Sequence, residues 1–278
     1  MTTKTTVVPD LNLNDGNRMP QLGFGVFLVP EDETAQAVGH ALGTGYRLID
    51  TAAAYGNEVG VRDAVETSEL DRGDIFITTK LRNRDHGRHN VPRAYEHSLD
   101  KLGGGYIDLY LIHWPVPQKD DYVETWEALC ELQREERVRS IGVSNFQVEH
   151  LERIIDATGV VPAVNQIELH PHLQQLELRR FHEEHGIKTE AWSPLGKAQF
   201  LDDETIQRIA SAHGRTPAQV VLRWHIQLGN IVIPKSVTPS RIEENFKIFD
   251  FELSDEEMHA IFELDRDERT GPDPDTFG

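Results

Sequence analysis

The chain carries one cysteine, Cys130, in 278 residues, which excludes an intrachain disulfide and fits a reducing cytoplasm. Its setting, Trp126-Glu-Ala-Leu-Cys-Glu-Leu132, puts the thiol on the apolar face of a helix, as a buried structural group rather than a nucleophile. No apolar run approaches the roughly 20 residues that a membrane helix needs. The first residues, Met1-Thr-Thr-Lys-Thr-Thr6, contain no signal-peptide core. Positive charge is scarce: 28 Lys and Arg stand against 47 Asp and Glu, a net charge of −19. That balance argues against nucleic acid or an anionic membrane as a partner. It also means that an anionic cofactor needs a local basic site, which few segments can supply. The glycine-rich dinucleotide fingerprint is missing as well, because Gly23-Phe-Gly25 lacks its third glycine. No nucleophile elbow, Walker loop or metal cage is present. His182-Glu-Glu-His185 has i, i+3 spacing instead of the i, i+4 of a zinc helix, and before Gly186 it reads as a surface helix end. His86, His89, His170 and His172 form no recognisable metal set.

What is present is a rhythm. Tyr46-Arg-Leu-Ile-Asp50, Ile75-Phe-Ile-Thr-Thr-Lys80 and Ile107-Asp-Leu-Tyr-Leu-Ile-His113 are β-branched or aromatic runs, each followed by a helical pattern. Strands are expected at 22–25, 47–50, 75–80, 107–113, 140–143, 163–168, 187–191 and 231–234, with amphipathic helices between them. With no Ser/Pro-rich linker, the pattern predicts an α/β fold, a single (β/α)8 TIM barrel across residues 1–278. Residues 1–20 read as a hairpin cap, built from Thr6-Val-Val8 and Leu11-Asn-Leu13 with the turn signal Asn14-Asp-Gly16 after it. Additional helices are expected at 217–228 and after Ser254, whose Ser-Asp-Glu-Glu string is a capping-box pattern, and an irregular tail at 269–278. Nothing suggests a large apolar surface, so a monomer is expected.

Asp50, Tyr55, Lys80 and His113 each sit at or just past the end of an apolar run. Carboxyl ends of successive parallel strands converge on one face, where such barrels place their active sites. Tyrosine is a weak acid, with an ordinary pKa of about 10. A neighbouring Lys80 ammonium, held by Asp50, is expected to lower that value and let Tyr55 protonate a developing alkoxide. His113 is expected to orient a carbonyl by donating from one ring nitrogen. Lys235-Ser-Val-Thr-Pro-Ser-Arg241 offers an anion site: Thr238 reads as an N-cap, Pro239 as the first helical residue, and Arg241 lies in a first turn whose dipole disfavours bases. A phosphate there would be held by arginine and helix N-terminus together. Phe27, Trp114 and Trp192, with Tyr55 and His113, would form an apolar pocket for a small carbonyl compound. Arg82 is expected either to bias that pocket towards anionic carbonyl substrates or to face solvent on a variable loop. The short loop at 196–202 suggests an open site.

The strings Asp50-Thr-Ala-Ala-Ala-Tyr-Gly-Asn-Glu58, Leu109-Tyr-Leu-Ile-His-Trp-Pro115, Gly142-Val-Ser-Asn-Phe146, Asn165-Gln-Ile-Glu-Leu-His-Pro171, Ser193-Pro-Leu-Gly196 and Pro234-Lys-Ser-Val237 resemble the aldo-keto reductases, in order, from Leu22 to Phe251. The nearest likeness within that family is to prokaryotic 2,5-diketo-D-gluconate reductases, on Val160-Val-Pro-Ala-Val-Asn-Gln-Ile-Glu-Leu-His-Pro171 and Ala191-Trp-Ser-Pro194. The resemblance implies NADPH as cofactor, Tyr55 as general acid, Lys80 and Asp50 as its tuners, and His113 as the carbonyl-orienting residue. By the same resemblance Lys235, Ser236 and Arg241 would hold the adenosine 2′-phosphate and Glu244 and Asn245 the adenine. Ser144, Asn145 and Gln166 would hold the nicotinamide amide, Trp192 would stack on its ring, and Ser193 and Leu195 would meet the pyrophosphate. The implied activity is reduction of aldehydes or ketones, with a keto-sugar acid as substrate. The alternatives are a broad aldehyde or methylglyoxal reductase and, from another class, an NADPH-sensing regulatory subunit.

Overall fold

The computed structural model describes residues 7–278. It opens with an antiparallel hairpin, β1 (Asp10–Asn12) and β2 (Arg18–Pro20), in which Leu11 lies opposite Met19. The hairpin therefore straddles the Asn14-Asp-Gly16 turn instead of preceding it. Gly16 takes a φ of 89°, and the Asn17 amide donates to Asp15 Oδ1, which fixes the reversal between residues 12 and 18. Of the strand expected at Thr6-Val-Val8, Thr6 lies outside the described residues, and Val7 and Val8 enter no strand pairing among the described residues.

Eight parallel strands follow in chain order: β3 (Phe24–Gly25), β4 (Leu48–Asp50), β5 (Phe76–Leu81), β6 (Ile107–Ile112), β7 (Val138–Ser144), β8 (Val164–Glu168), β9 (Lys188–Trp192) and β10 (Ile231–Val232). The last returns to the first. Leu22 bridges Val232 in parallel, the Gly23 amide donates to the Val232 carbonyl at 2.8 Å, and the Val232 amide donates to Gln21 at 3.0 Å. The sheet is thus closed into a (β/α)8 barrel without free edges. Helices α1 (Glu31–Thr44), α2 (Glu58–Thr67), α3 (Val91–Lys101), α4 (Tyr122–Arg134), α5 (Val148–Thr158), α6 (Leu176–His185) and α7 (Glu204–His213) are joined by α8 (Pro217–Gln227), α9 (Pro239–Phe246) and α10 (Asp255–Phe262). The expected capping box opens α10: the Glu257 amide donates to Ser254 Oγ, and the Ser254 amide to Glu257.

The period of two along each strand sorts residues to two cores. Ile49, Ile77, Tyr110, Ile112, Ile141, Val143 and Ala191 face the helices. Leu48, Phe76, Leu109, Leu111, Val164 and Ile231 fill the barrel, closed below by Leu13 and Met19 of the hairpin. Gly142 sits on the inward parity, where a Cβ would lie 2.5 Å from the Val164 carbonyl, so only glycine lets β7 and β8 close there. One step further along the same inward rows the residues turn polar: Asp50, Lys80, Ser144, Gln166 and Glu190 are all buried. The barrel is apolar at its floor and charged beneath its carboxyl-end mouth.

Candidate active site

Asp50 ends β4, and the chain then turns through a short 3-10 helix, Ala53–Tyr55, that carries the tyrosine over the barrel mouth. Buried Asn57 pins this turn by donating to the carbonyls of Val26 at 2.9 Å and Val29 at 3.1 Å while accepting from Thr51. Lys80 projects from β5 with its ammonium fully buried. It donates to Asp50 Oδ1 at 2.6 Å and to the Thr51 carbonyl at 3.0 Å, and stands 3.5 Å from the Tyr55 hydroxyl. His113 follows β6 and presents its ring edgewise to Tyr55, centroids 5.6 Å apart. The four residues named from the sequence are thus brought together by β4, β5, β6 and one turn.

Their electrostatics depart from expectation in one respect. Burial raises the Tyr55 hydroxyl above its ordinary pKa, and the field of Lys80, which acts the other way, does not compensate. The ammonium is spent mainly on Asp50 and Thr51, so the tyrosine holds its proton more firmly than an exposed one. Burial alone would push Lys80 down, but its partners, Asp50 first among them, more than offset it and keep the group charged. Burial and the neighbouring Lys80 depress His113 to about 3, so its imidazole is neutral at ordinary pH. A protonated tyrosine and a neutral, donating histidine side by side can share the oxygen of a carbonyl group.

These groups open on a cavity of about 1240 Å³ whose walls include Phe27, Trp114, Arg82, Leu195 and Ser193. Arg82 is not a solvent-facing loop residue: its guanidinium donates to the Ala53 carbonyl, bracing the turn that carries Tyr55. On the facing side Ser144, Asn145, Gln166 and Trp192 converge. Trp192 Nε1 donates to Asn145 Oδ1 at 2.8 Å, and Asn145 Nδ2 donates to the His113 carbonyl at 3.0 Å, so the indole plane and the histidine loop are locked together. Ser144 Oγ donates to the Gln166 carbonyl. Asn145 and Ser193 both stand in the left-handed region, at φ 64° and 48°, which concentrates backbone strain at the cavity wall.

Lys235 reaches this cavity, whereas Ser236, Arg241, Glu244 and Asn245 lie beyond it on and before α9. Thr238 is the N-cap of α9 and Pro239 its first residue, as read, but the Thr238 hydroxyl makes no capping bond; its amide donates instead to Ser236 Oγ. Glu244 accepts from Thr216 Oγ1 at the start of α8, which fixes it from behind. Among the described residues, neither Lys235 nor Arg241 pairs with a carboxylate, whereas half of the chain's arginines do.

Two features were not foreseen. The tail at 269–278 is irregular, as expected, but it roofs the cavity: Thr270, Gly271, Pro272 and Phe277 line it, and Phe277 packs on Trp114 at 4.5 Å between centroids. Buried Glu168 anchors the tail by accepting from the Thr270 amide at 2.6 Å, the Thr270 hydroxyl at 2.5 Å and the Gly271 amide at 3.0 Å. The site is therefore covered on the side where the short loop at 196–202 suggested openness; Lys197 of that loop itself donates to the Thr270 carbonyl. No local pattern in the tail marks this. The second feature is Glu190, buried under the cavity and joined to Asp50 through Gln166. Parity reveals it, because it lies two residues before Trp192 on the same strand. Elsewhere, His182 is buried rather than at the surface, bonded to Asn165 and Thr189, while His185 stacks outside on Phe181. No cluster of potential metal ligands occurs among the described residues. Cys130 is buried, its thiol pushed up to about 12 by burial.

Residues 21–266 match the Aldo/keto reductase family. The chain belongs to this family. It is 55% identical over 269 residues to an aldo-keto reductase of Mycobacterium sp. (strain KMS), across 97% of this chain and 98% of that one. It is 54% identical over 272 residues to methylglyoxal reductase DkgA of Escherichia coli (strain K12), across 96% and 98%. Among solved structures, a Gox0644 variant in complex with NADPH superposes with a TM-score of 0.95 at 54% identity, covering 98% of this chain and 100% of that one. Aldo-keto reductases are oxidoreductases, and this member has the barrel and a coherent mouth for that chemistry. No described helix is long and apolar enough to cross a membrane.

Proposed function

We propose that this protein reduces small aldehydes and ketones to alcohols with NADPH as the reductant. The observation that carries the reading is the meeting of Lys80, Tyr55 and neutral His113 beneath one cavity. The residues fit the cofactor. Among the described residues Lys235 and Arg241 pair with no carboxylate, in a chain of net charge −19, beside an N-terminus of α9 without a side-chain cap, which suits a phosphate. Trp192 offers a flat face fixed by Asn145, and Gln166 presents its amide at the same wall. Ser144 and Asn145 act chiefly by holding Gln166 and Trp192, since their own polar atoms already have partners.

When bound, NADPH supplies the hydride. The protein supplies the rest. Substrate oxygen sits between Tyr55 and His113; the His113 N–H polarises the carbonyl, and Tyr55 gives its proton to the oxygen as charge develops there. Lys80, fixed by Asp50, stabilises the resulting phenolate until it is reprotonated. The tail and Trp114 exclude water from this step. The neutral state of His113 matters, because an imidazolium would raise the electrostatic cost of holding Lys80 charged nearby.

Two substrate classes fit. Methylglyoxal is favoured by the likeness to DkgA and by the apolar walls at Phe27, Trp114 and Phe277. Keto-sugar acids are favoured by Arg82 and Arg84, both of which line the cavity. The test is NADPH consumption against methylglyoxal, 2,5-diketogluconate, glyceraldehyde and a nitrobenzaldehyde, with and without Arg82→Ala. Turnover on none of them would remove the reading in favour of an NADPH-sensing role. A preference between the keto acid and the neutral aldehydes that survives Arg82→Ala would remove acid recognition by Arg82.

A further inference from the structure

Glu190 belongs to no part of the chemistry derived above, yet it occupies the middle of the barrel. It stands opposite Gln166 on β8 and Ile231 on β10, with its carboxyl wholly buried. Gln166 Nε2 donates to Glu190 Oε2 at 2.8 Å and, with its other hydrogen, to Asp50 Oδ2 at 2.7 Å. Asp50 Oδ1 in turn accepts from Lys80. One amide nitrogen thus connects two carboxyl groups, and that arrangement has a definite consequence. Asp50, paired with Lys80, offers the amide only an acceptor oxygen, so the amide cannot flip without setting its oxygen against that carboxylate. With the nitrogen turned inwards, Gln166 Oε1 is directed away from both carboxyls and has no protein partner among the described residues, Ser144 Oγ donating to the backbone carbonyl instead.

We infer that Glu190 is a positioning residue for the cofactor: together with Asp50 it holds the Gln166 amide so that its carbonyl oxygen receives an N–H of the nicotinamide carboxamide. The inference rests on the reading of Gln166 as a cofactor ligand given above. A second observation agrees with it. Glu190 Oε1 is buried and has no hydrogen-bond partner. Burial, reinforced by the charge of Asp50, pushes the carboxyl up to about 8. At neutral pH it therefore carries a proton, which the partnerless Oε1 accommodates while Oε2 remains the acceptor for Gln166. The charged or titratable groups facing it are Asp50 from β4, Lys80 from β5 and Tyr55 from the turn above; Gln166 and Ile231 on the flanking strands do not titrate. A neutral acid is the form this setting selects, so a glutamine of the same shape should replace it.

The test measures NADPH dissociation constants by quenching of intrinsic tryptophan fluorescence, with no substrate present. Glu190→Leu and the smaller Glu190→Ala, which lack the acceptor, are each expected to bind NADPH about tenfold more weakly, the cost of one misdirected hydrogen bond. Glu190→Gln is expected to bind within about twofold of the parent. In a Gln166→Ala background, Glu190→Leu is expected to cost nothing further, because it acts only through that amide. Parent-like affinity in the Leu and Ala variants, weak binding in Glu190→Gln, or additive losses with Gln166→Ala would each overturn the assignment while leaving Gln166 as a ligand. If Gln166→Ala alone binds NADPH like the parent, the ligand reading itself falls and this assignment with it.

Discussion

Lys80 donates to Asp50 and Thr51 in full burial, so its charge is compensated by one carboxylate and one carbonyl. Removing one partner of such a pair strands the other charge, which costs about 3–5 kcal/mol. Asp50→Asn is therefore expected to lower unfolding free energy by about that amount in denaturant titrations, and to lower turnover because Lys80 loses its anchor. A loss below about 1 kcal/mol would mean that Lys80 is neutral in the fold. His113 supplies a second residue-level expectation. With its pKa depressed to about 3, it has no titration left near neutrality, so kcat/KM for carbonyl reduction should show no step near pH 6.5. A step there that vanishes in His113→Asn would contradict the neutral-imidazole role. The tetrad was legible in the sequence because strand ends in a parallel barrel point to one face. The sign of the Tyr55 shift was not, because burial and the share of Lys80 taken by Asp50 and Thr51 are properties of packing.

Among the elements, strands and helices were legible within a residue or two because each carries its own periodicity, while the connections were not. The 3-10 turn Ala53–Tyr55 and the tail take their shape from long-range bonds, Asn57 to Val26 and Val29, Arg82 to Ala53 and Glu168 to Thr270, that no local pattern announces. Misplacing the first hairpin strand had the same origin: β1 and β2 are short and their turn chemistry, not their apolar content, sets the register. For the tail, burial would raise Glu168, but the bonds from His170, Thr270 and Gly271 outweigh it and hold the carboxyl below its ordinary value. Glu168→Gln breaks this charge-assisted clasp. Amide exchange at Thr270 and Gly271 is expected to quicken by at least about tenfold, and KM for bulky carbonyl substrates to change, with NADPH affinity unaltered. Unchanged exchange in residues 269–278 would show that Phe277 on Trp114, not Glu168, holds the tail down.

At the scale of the molecule, four histidines with strongly depressed pKa values set the acid limit. His113, His182 and His225 are depressed to about 3 and His86 to about 4, in each case chiefly by burial. The unfolded chain protonates these rings near pH 6.5, the folded protein only far below, so under that pH the unfolded state binds more protons. Their contribution is complete above about pH 6.5 and is lost as pH falls towards 3. Tm is expected to drop by at least about 10 °C between pH 7 and pH 5, more than the surface ion pairs would cause. A Tm that stays level over that interval would mean that the rings are not buried neutral. The same barrel that excludes protons from these sites is what keeps a donor proton on Tyr55, and the most direct test of the account addresses that proton. Single-turnover reduction of methylglyoxal by the NADPH-loaded protein should be slowed by Tyr55→Phe at least about a thousandfold, with the NADPH dissociation constant within twofold of the parent. A Tyr55→Phe protein that reduces methylglyoxal at a comparable rate would contradict Tyr55 as the acid and, with it, the assignment of this mouth as the catalytic centre.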